Sequence, residues 1–287
     1  MMKKNILITG VNGFIGSHFT EKNFKKYNLY GIVKKNKKKM KGIKYLKIKN
    51  FYKKIDKKID FIIHLAQSKN YKKFPKKSKD IFNSNIKLTA EILEFARINK
   101  IKKFIYLSTG SVYENLPKSK INEETNLKLN KINFYSASKI SSELMIKSYQ
   151  SFFDIIILRI FFPYGANQKK DMLIPSLIKK IKNNEHIVIN NNLKFNPIYI
   201  DDLIKSIEKS LMLKGLNYFN LAGNEKIDIE RIIKIISKKL NKKAIIKKIS
   251  KKSDNYISEI KFAKKKLLIP KISISKGILN LLKNTKK

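Results

Sequence analysis

Short apolar runs, rich in isoleucine, alternate with stretches of helical periodicity through the first half of the chain. The runs predict six β-strands, at 5–9, 29–33, 43–48, 60–66, 103–109 and 154–160. Apolar residues at helical spacing predict helices between them, chiefly at 14–27, 80–99 and 133–152. Strands of this kind separated by helices are typical of a parallel sheet that is covered on both faces. The pattern therefore predicts an α/β fold with a doubly wound parallel sheet.

The pattern changes after Pro163, where shorter and more polar elements follow. Helices are predicted near 172–182, 201–213 and 227–240, and short strands near 187–189, 197–200 and 217–221. We expect these elements to form a smaller C-terminal α/β lobe, over residues 166–287, which is interleaved with the domain formed by residues 1–165.

The composition narrows the class of protein. The chain has 287 residues, 43% of them hydrophobic, with no Cys and no apolar run of membrane-spanning length. The lack of Cys excludes a disulfide framework and a thiolate metal site. His18 and His186 have no neighbours typical of metal ligands, and His64 is expected to be a packed structural residue, so no metal is expected. We expect a cytoplasmic protein.

The formal net charge is +44, which raises the question of a nucleic-acid partner. Lys and Arg together number 65, but the only arginines are Arg97, Arg159 and Arg231. Arginine is the preferred reader of guanine and of paired phosphate oxygens. The lysines are also spread along the whole chain rather than gathered in one patch. We therefore expect no specific nucleic-acid partner, although the charge should attract anionic substrates.

Three glycines follow the first predicted strand at regular spacing. Gly10, Gly13 and Gly16 form the pattern G-x-x-G-x-x-G between strand 5–9 and helix 14–27. Glycines placed in this way allow a tight turn, a close approach of the backbone to a pyrophosphate, and close packing of the helix on the strand. The helix N-terminus adds unpaired N–H groups and the positive end of a dipole. The loop predicts a Rossmann dinucleotide-binding domain.

Six stretches, in this order along the chain, resemble the extended short-chain dehydrogenase/reductases. They are TGVNGFIGSH, HLAQ at 64–67, LSTGSVYE at 107–114, YSASK at 135–139, LRIFFPYGA at 158–166 and PIYIDDL at 197–203. The resemblance runs from about residue 4 to about residue 240 and is to the NAD(P)-dependent epimerase/dehydratase group, which mostly acts on nucleotide sugars. It implies an enzyme, a nucleotide-sugar substrate and a homodimer formed through helices 80–99 and 133–152.

The same resemblance implies further cofactor-binding residues. Phe14 and Ile15 would contact the pyrophosphate through their backbone N–H groups. Leu65 and Ala66, in the HLAQ stretch, are also candidates for cofactor binding. Asn85 matches an Asn that the family carries in the helix after the fourth strand, and the alternative is an Asn on the helix surface.

The stretch YSASK places Tyr135 and Lys139 at i and i+4 on one face of a predicted helix. Two other tyrosines also precede a lysine at this spacing, but both lie in predicted strands. The Lys139 ammonium is expected to lower the pKa of the Tyr135 phenol, which could then exchange a proton with a sugar hydroxyl or ketone.

Thr109 ends the fifth strand, at the edge where ligands collect in such sheets. The resemblance implies that its hydroxyl contacts the reacting oxygen, and that Lys139 also holds the nicotinamide ribose. We therefore predict that Tyr135, Lys139 and Thr109 are catalytic, and that Tyr135 and Thr109 also contact the substrate.

The choice between NAD and NADP depends on the end of the second strand. A carboxylate about 20 residues beyond the glycine loop would bind the adenosine ribose of NAD. The chain has no acid between Glu21 and Asp56, and Lys34 or Lys35 could instead hold the 2′-phosphate of NADP. NADP is therefore slightly favoured over NAD. Asn50 stands where many relatives have an Asp that contacts the adenine.

Several reactions remain open at this stage. The 4,6-dehydratases of the family carry Thr-Asp-Glu where this chain has Thr109, Gly110 and Ser111, so a dehydratase is not expected. A sugar epimerase and an NADPH-dependent 4-keto-sugar reductase remain, and a non-catalytic NADP-binding regulator is a further alternative.

The predicted substrate lobe departs from the family pattern at three places. Phe162 stands where relatives often have Asn, and Phe195 stands where they have an Arg that binds the nucleotide diphosphate. The Arg-Pro-Gly-Asp stretch of relatives reads Lys-Lys-Ser-Asp at 251–254. Phe162 and Lys194 are predicted to contact the substrate, with Lys194 as a point charge in place of the arginine fork.

Overall fold

The computed structural model describes residues 3–34, 40–55, 57–114, 116, 121–190, 193–249 and 255–284. Among the positions considered above, Lys35, Asp56 and the stretch 251–254 lie outside the described residues, as does the side chain of Asn50.

The elements of the described residues alternate as the sequence predicts. The strands are β1 (Asn5–Thr9), β2 (Asn28–Val33), β3 (Ile43–Lys47), β4 (Phe61–His64), β5 (Lys103–Thr109), β6 (Asp154–Ile160), β7 (His186–Asn190), β8 (Lys194–Phe195), β9 (Leu216–Leu221), β10 (Ile227–Asp228) and β11 (Ile245–Ile249). The helices are α1 (Phe14–Asn23), α2 (Ser78–Phe82), α3 (Leu88–Ile98), α4 (Phe134–Lys147), α5 (Leu173–Lys182), α6 (Ile200–Ser210), α7 (Ile229–Leu240), α8 (Lys261–Lys266) and α9 (Ile274–Asn284).

A seven-stranded sheet in the order β3-β2-β1-β4-β5-β6-β9 forms the centre of the fold. β1 pairs in parallel with both β2 and β4, β2 with β3, and β4 with β5. The order reverses direction at β1, which is the topological switch point of doubly wound sheets. The Rossmann-type fold predicted from the sequence is therefore confirmed.

The sheet is buried on both faces. Ile6, Leu7 and Ile8 of β1 and the run 155–158 of β6 have no exposed surface. Because successive side chains of a strand point to opposite faces, consecutive buried residues require cover on both sides. Each such side chain contributes about 1.5–3 kcal/mol by burial. This packing fixes the carboxyl ends of the strands, where Thr9 and Thr109 lie.

Two predicted helices differ in their bounds from the observed ones. The segment predicted as one helix at 80–99 consists of α2, a π-helical turn at 83–87 and α3. The helix predicted at 133–152 begins at Phe134 and ends at Lys147 as α4. π-helical turns inside α-helices occur frequently at functional sites.

The chain forms two compact units, each built from more than one segment. The first comprises residues 1–115, 126–159 and 206–219, and the second comprises residues 116–125, 160–205 and 220–287. The boundary at 165/166 drawn from the sequence stays a prediction.

The second unit contains two small pairs of strands. β8 and β10 are antiparallel, and β7 and β11 are parallel. The strand predicted at 197–200 is reduced to a parallel bridge between Tyr199 and Tyr164, and α6 begins at Ile200. Pro197 has no backbone N–H to donate to a neighbouring strand. In the residue before it, the side-chain amide of Asn196 donates to the carbonyls of Gly223 and Ser258.

Candidate active site

The glycine loop lies between β1 and α1, in the first unit. Gly10 has a φ of +69°, and a Cβ placed on it would lie 2.9 Å from the backbone of Leu65 and Ala66. A Cβ on Gly16 would lie 2.4 Å from the carbonyl oxygen of Gly10. The N–H of Gly13 donates to that carbonyl at 2.9 Å. The loop therefore holds a turn that only glycine fits, and the backbone next to it stays accessible to a ligand.

The start of α1 suits the diphosphate of a dinucleotide. Gly13 is the N-cap and provides no side-chain hydrogen bond, and the first turn contains no acidic residue. The N–H groups of the first turn, which include those of Phe14 and Ile15, have no partners within the helix. A helix N-terminus of this kind binds anions, so these residues fit the predicted cofactor group.

Leu65 and Ala66, which follow β4, pack against the glycine loop at Gly10. The N–H of Ala66 donates to Thr9 Oγ1 at 3.1 Å, and the N–H of Leu65 donates to the Thr9 carbonyl at 3.3 Å. The structure thus brings Leu65 and Ala66 to Gly10. His64 is fully buried between the hydroxyls of Thr9 and Thr89.

Burial lowers the pKa of His64 to about 3, with a smaller contribution from the charge of Lys139. The ring is therefore uncharged near neutral pH. Its place inside the sheet matches the structural role expected from the sequence.

Tyr135 lies in the first turn of α4 and is half-buried. Its hydroxyl donates to Gln67 Oε1 at 3.0 Å, and its ring centroid lies 4.9 Å from that of Tyr71. Burial raises the pKa of the Tyr135 phenol well above its usual value, and hydrogen bonding with Thr109 opposes that rise. The structure therefore places the Tyr135 hydroxyl on Gln67, a partner that the sequence did not indicate, and Thr109 lies near enough to lower the pKa of the phenol.

Lys139 lies one turn further along α4 and is 2% exposed. Its Nζ donates to the Leu107 carbonyl at 2.5 Å and lies 4.1 Å from the centroid of the Tyr106 ring. Burial lowers the pKa of the Lys139 ammonium to about 7, and the charge of Glu143 opposes this shift.

The expectation that Lys139 lowers the pKa of the Tyr135 phenol is wrong, because that pKa is raised. Burial of the phenol dominates, and the Lys139 ammonium is held by the backbone of β5 and the face of Tyr106. The two side chains share a helix face, but each has its own partners.

The start of α4 is fixed by a carboxylate that the sequence analysis did not identify. Glu114 Oε1 accepts from the N–H of Asn133 at 2.6 Å, and its Oε2 accepts from Ser136 Oγ at 3.2 Å and from the Asn133 amide. Asn133 Oδ1 in turn caps the helix by accepting from the N–H of Ser136 at 2.9 Å. A negative charge at a helix N-terminus is favourable. The available signal was the acid that ends the LSTGSVYE stretch.

Asn85 lies in the π-helical turn and is 1% exposed, so the alternative of a surface Asn is wrong. Its Oδ1 accepts from the N–H of Ser68 at 2.9 Å, and its Nδ2 donates to Ser138 Oγ at 2.8 Å. Asn85 therefore joins the segment after β4 to α4. A direct role in cofactor binding stays a prediction.

Lys34, at the end of β2, is paired within the protein. Its Nζ lies 3.9 Å from Asp80 Oδ1 and 3.3 Å from Ser84 Oγ. A 2′-phosphate at this ammonium would approach the Asp80 carboxylate and be repelled by it. The contacts of Lys34 therefore give the preference for NADP no support.

The remaining two candidates lie in the second unit. Phe162 has a φ of +42°, which is rare for a bulky residue. Its ring centroid lies 4.7 Å from that of Phe195 and 5.8 Å from that of Tyr256. Lys194 is exposed in β8. An aromatic cluster therefore lies where relatives carry Asn and Arg.

Among the residues that the structure describes, no group of three or more His, Cys, Asp or Glu side chains could hold a metal ion. No helix among the same residues has the length and apolarity needed to cross a bilayer.

Comparison with known proteins extends these observations. The sequence model of a family described as the NAD dependent epimerase/dehydratase family matches residues 6–214. A UDP-glucuronate 4-epimerase of Thermodesulfobacterium geofontis is 31% identical over 206 residues, 68% of this chain and 63% of that protein. A dTDP-4-dehydro-6-deoxyglucose reductase of Escherichia coli is 31% identical over 198 residues, 65% of this chain and 62% of that protein.

A solved structure is similar over nearly the whole chain. It is UDP-glucuronic acid 4-epimerase from Bacillus cereus in complex with UDP-glucuronic acid and NAD, which aligns with a TM-score of 0.84 and 26% identity over 98% of this chain and 99% of that chain. Coverage of the curated relatives is lower: the chain spans less than two thirds of the length of the two above, and 51% and 38% of two others.

Proposed function

The chain belongs to the NAD dependent epimerase/dehydratase family, and from this premise we propose that it is an NAD-dependent epimerase of a nucleotide sugar. The observation that carries the proposal is the phenol of Tyr135, whose hydroxyl donates at 3.0 Å to Gln67 Oε1 in the segment after β4, in the same unit as the glycine loop and as Thr109 at the carboxyl end of β5. A phenol and a hydroxyl at that edge suit proton exchange with a sugar oxygen.

The cofactor would be held by groups that the fold has already fixed. The loop of Gly10, Gly13 and Gly16 and the N–H groups of Phe14 and Ile15 would bind its diphosphate. Leu65 and Ala66 would form the adjoining wall, and Lys139 would bind the nicotinamide ribose, as the family resemblance implies. When bound, NAD would supply an acceptor and a donor of hydride at the sugar carbon.

The chain's own residues would handle the proton. Once its own proton has passed to solvent, the Tyr135 phenolate would accept the proton of a sugar hydroxyl as that carbon is oxidised, and would return it to the same oxygen when the carbon is reduced again. Thr109 would donate a hydrogen bond to that oxygen. The cofactor would be regenerated in each cycle, so none would be consumed. Such recycling fits a retained NAD better than NADPH, which a reductase consumes.

The second candidate is a 4-keto-sugar reductase. The similarity to a dTDP-4-dehydro-6-deoxyglucose reductase favours it. The same Tyr135 would donate its proton only in the direction of reduction, and the reduced cofactor would be consumed. A 4,6-dehydratase is disfavoured because Gly110 has no side chain to act as an acid at the position where the dehydratases carry Asp.

The substrate-binding roles of Phe162 and Lys194 are part of this proposal, and so is a homodimer. Ile98 at the end of α3 and Leu144 on α4 are largely exposed, as residues at a subunit interface would be in an isolated chain.

Bound nucleotide and turnover test the proposal together. Native mass spectrometry of the purified protein should find NAD, and incubation with UDP-glucuronic acid or UDP-glucose should give a mixture of epimers without net NADH. Tyr135→Phe should lower kcat by about 100-fold or more. Net oxidation of NADPH by a dTDP-4-keto sugar would favour the reductase. Unchanged turnover in Tyr135→Phe would refute both candidates.

A further inference from the structure

The Tyr135 hydroxyl donates to Gln67, a residue whose two neighbours in the chain are both held by hydrogen bonds. Gln67 Oε1 accepts from it at 3.0 Å, and the Gln67 side chain is exposed. The residue before Gln67 is tied to Thr9 through the N–H of Ala66. The residue after it, Ser68, is buried and donates its N–H to Asn85 Oδ1. A side chain that leaves such a fixed backbone is preorganised for its contact.

The same network connects the backbone of Gln67 to the helix that carries Tyr135. Asn85 Nδ2 donates to Ser138 Oγ at 2.8 Å, and Ser138 Oγ donates to the Tyr135 carbonyl at 2.7 Å. A closed circuit of hydrogen bonds therefore runs from the Gln67 segment through Asn85 to Tyr135 and back through the phenol. Buried groups therefore hold the backbone beside Gln67 and the helix turn that carries Tyr135 relative to each other.

We infer that Gln67 is a positioning residue for the Tyr135 hydroxyl and serves it in both of its protonation states. An amide can accept from the phenol through Oε1 and, after rotation, donate to the phenolate through Nε2. The inference rests on the proposed acid–base role of Tyr135. In that role the phenol proton passes to the sugar oxygen as the hydride reaches the carbon, and the phenolate that remains receives the N–H of Gln67.

At position 67, other side chains would form a favourable contact with only one of the two protonation states of Tyr135, or with neither. A carboxylate accepts from the phenol but repels the phenolate, and an aliphatic side chain does neither. The titratable groups that act on the phenol are Tyr71, whose ring centroid lies 4.9 Å away and has Lys72 beside it, and Tyr106 on β5. Lys139, on the same face of α4, is held by the Leu107 carbonyl and the Tyr106 ring, and Glu114 is bonded to Asn133 and Ser136. None of these is altered by a substitution at Gln67, so the effect of the amide can be measured alone.

The test compares Gln67→Leu and Gln67→Glu with the same substitutions at Gln150, which is exposed beyond the end of α4. UDP-glucuronic acid is the assay substrate. Gln67→Leu should lower kcat by about 10- to 100-fold with a small change in KM. Gln67→Glu should move the limb of the kcat–pH profile that reports the phenol to higher pH. Both Gln150 variants should match the wild type.

A second readout does not depend on turnover. The protein labelled with 3-fluorotyrosine gives a ¹⁹F signal for Tyr135 that is identified by its loss in Tyr135→Phe. That signal should shift in Gln67→Leu and stay in place in Gln150→Leu. A signal that stays in place in both variants overturns the inference, because the amide then does not contact the hydroxyl.

The outcomes separate this inference from the proposed function. If Tyr135→Phe is inactive while both Gln67 variants keep the wild-type kcat and pH profile, the inference alone is overturned. If the wild type turns over no nucleotide sugar, or Tyr135→Phe keeps full activity, the proposed function fails and the inference fails with it. A fall in kcat together with a displaced pH profile at Gln67, and not at Gln150, supports the inference.

Discussion

The buried ammonium of Lys139 is expected to cost the fold stability at neutral pH, and Lys139→Met removes that cost. Burial lowers the pKa of this ammonium in the folded protein from 10.5 to about 7. The unfolded chain therefore binds more protons than the folded chain at any pH between these two values. Stability must then rise with pH across this window, and the full cost is present below about pH 7.

The magnitude follows from the separation of the two pKa values. Each pKa unit corresponds to about 1.4 kcal/mol, which gives about 5 kcal/mol for full titration. Between pH 7 and pH 9.5, the wild type should gain about 3 kcal/mol relative to Lys139→Met. This is an upper limit, because local opening admits water to the charged ammonium. At pH 7 the methionine variant should be the more stable protein, although it lacks the amine.

Urea unfolding at several pH values between 7 and 9.5 measures this difference. Lys147→Met is the matched control, because Lys147 is an exposed residue in the last turn of the same helix. The free-energy difference between the wild type and the control should stay nearly constant with pH. A difference between the wild type and Lys139→Met that is equally constant would refute the reasoning, since the ammonium would then be as well solvated in the folded protein as in the unfolded chain.

Two further predictions concern the glycine loop and a buried ion pair. Gly10→Ala should lower the free energy of unfolding, measured by thermal unfolding, by about 1–3 kcal/mol more than Gly215→Ala does. Both glycines have a positive φ, but only a Cβ on Gly10 would meet backbone atoms. Equal losses in the two variants would contradict this prediction. Glu143→Ala should lose about 3–5 kcal/mol in urea unfolding, because the buried Arg159 guanidinium would lose its carboxylate partner and keep the Tyr113 hydroxyl as a hydrogen-bond acceptor. Glu94→Ala, in an exposed pair, should lose less than about 1 kcal/mol, and similar losses in the two variants would argue against the prediction.

The central sheet could be predicted because its buried strands appear in the sequence as continuous apolar runs. A strand that is buried on both faces needs a continuous apolar run, and β1, β5 and β6 have one at their predicted positions. The strand predicted at 197–200 forms a bridge at Tyr199 instead of a strand, because the segment starts with a proline and α6 begins at Ile200. Elements beyond residue 240 were not predicted, since short Lys-rich segments give little periodicity.

The candidate site was predictable only where chemistry and position coincide. Thr109 ends a buried strand and Tyr135 starts a helix, and both features are visible in the sequence. Gln67 and Glu114 are polar residues beside loops, and their contacts reach 68 and 19 residues along the chain, to Tyr135 and Asn133. Residues so far apart in sequence meet only once the sheet has set the positions of the loops.

Spacing along a helix fixes how two side chains leave the backbone but not what each one meets. Lys139 turns to the Leu107 carbonyl, and Tyr135 turns to Gln67. Burial raises the pKa of the phenol and lowers that of the ammonium, so each shift comes mainly from the surroundings of the group itself. Under the proposed function, a sugar hydroxyl that approaches Tyr135 must compete with the Gln67 contact. The spacing therefore predicted the shared helix face and not the electrostatic surroundings of either group.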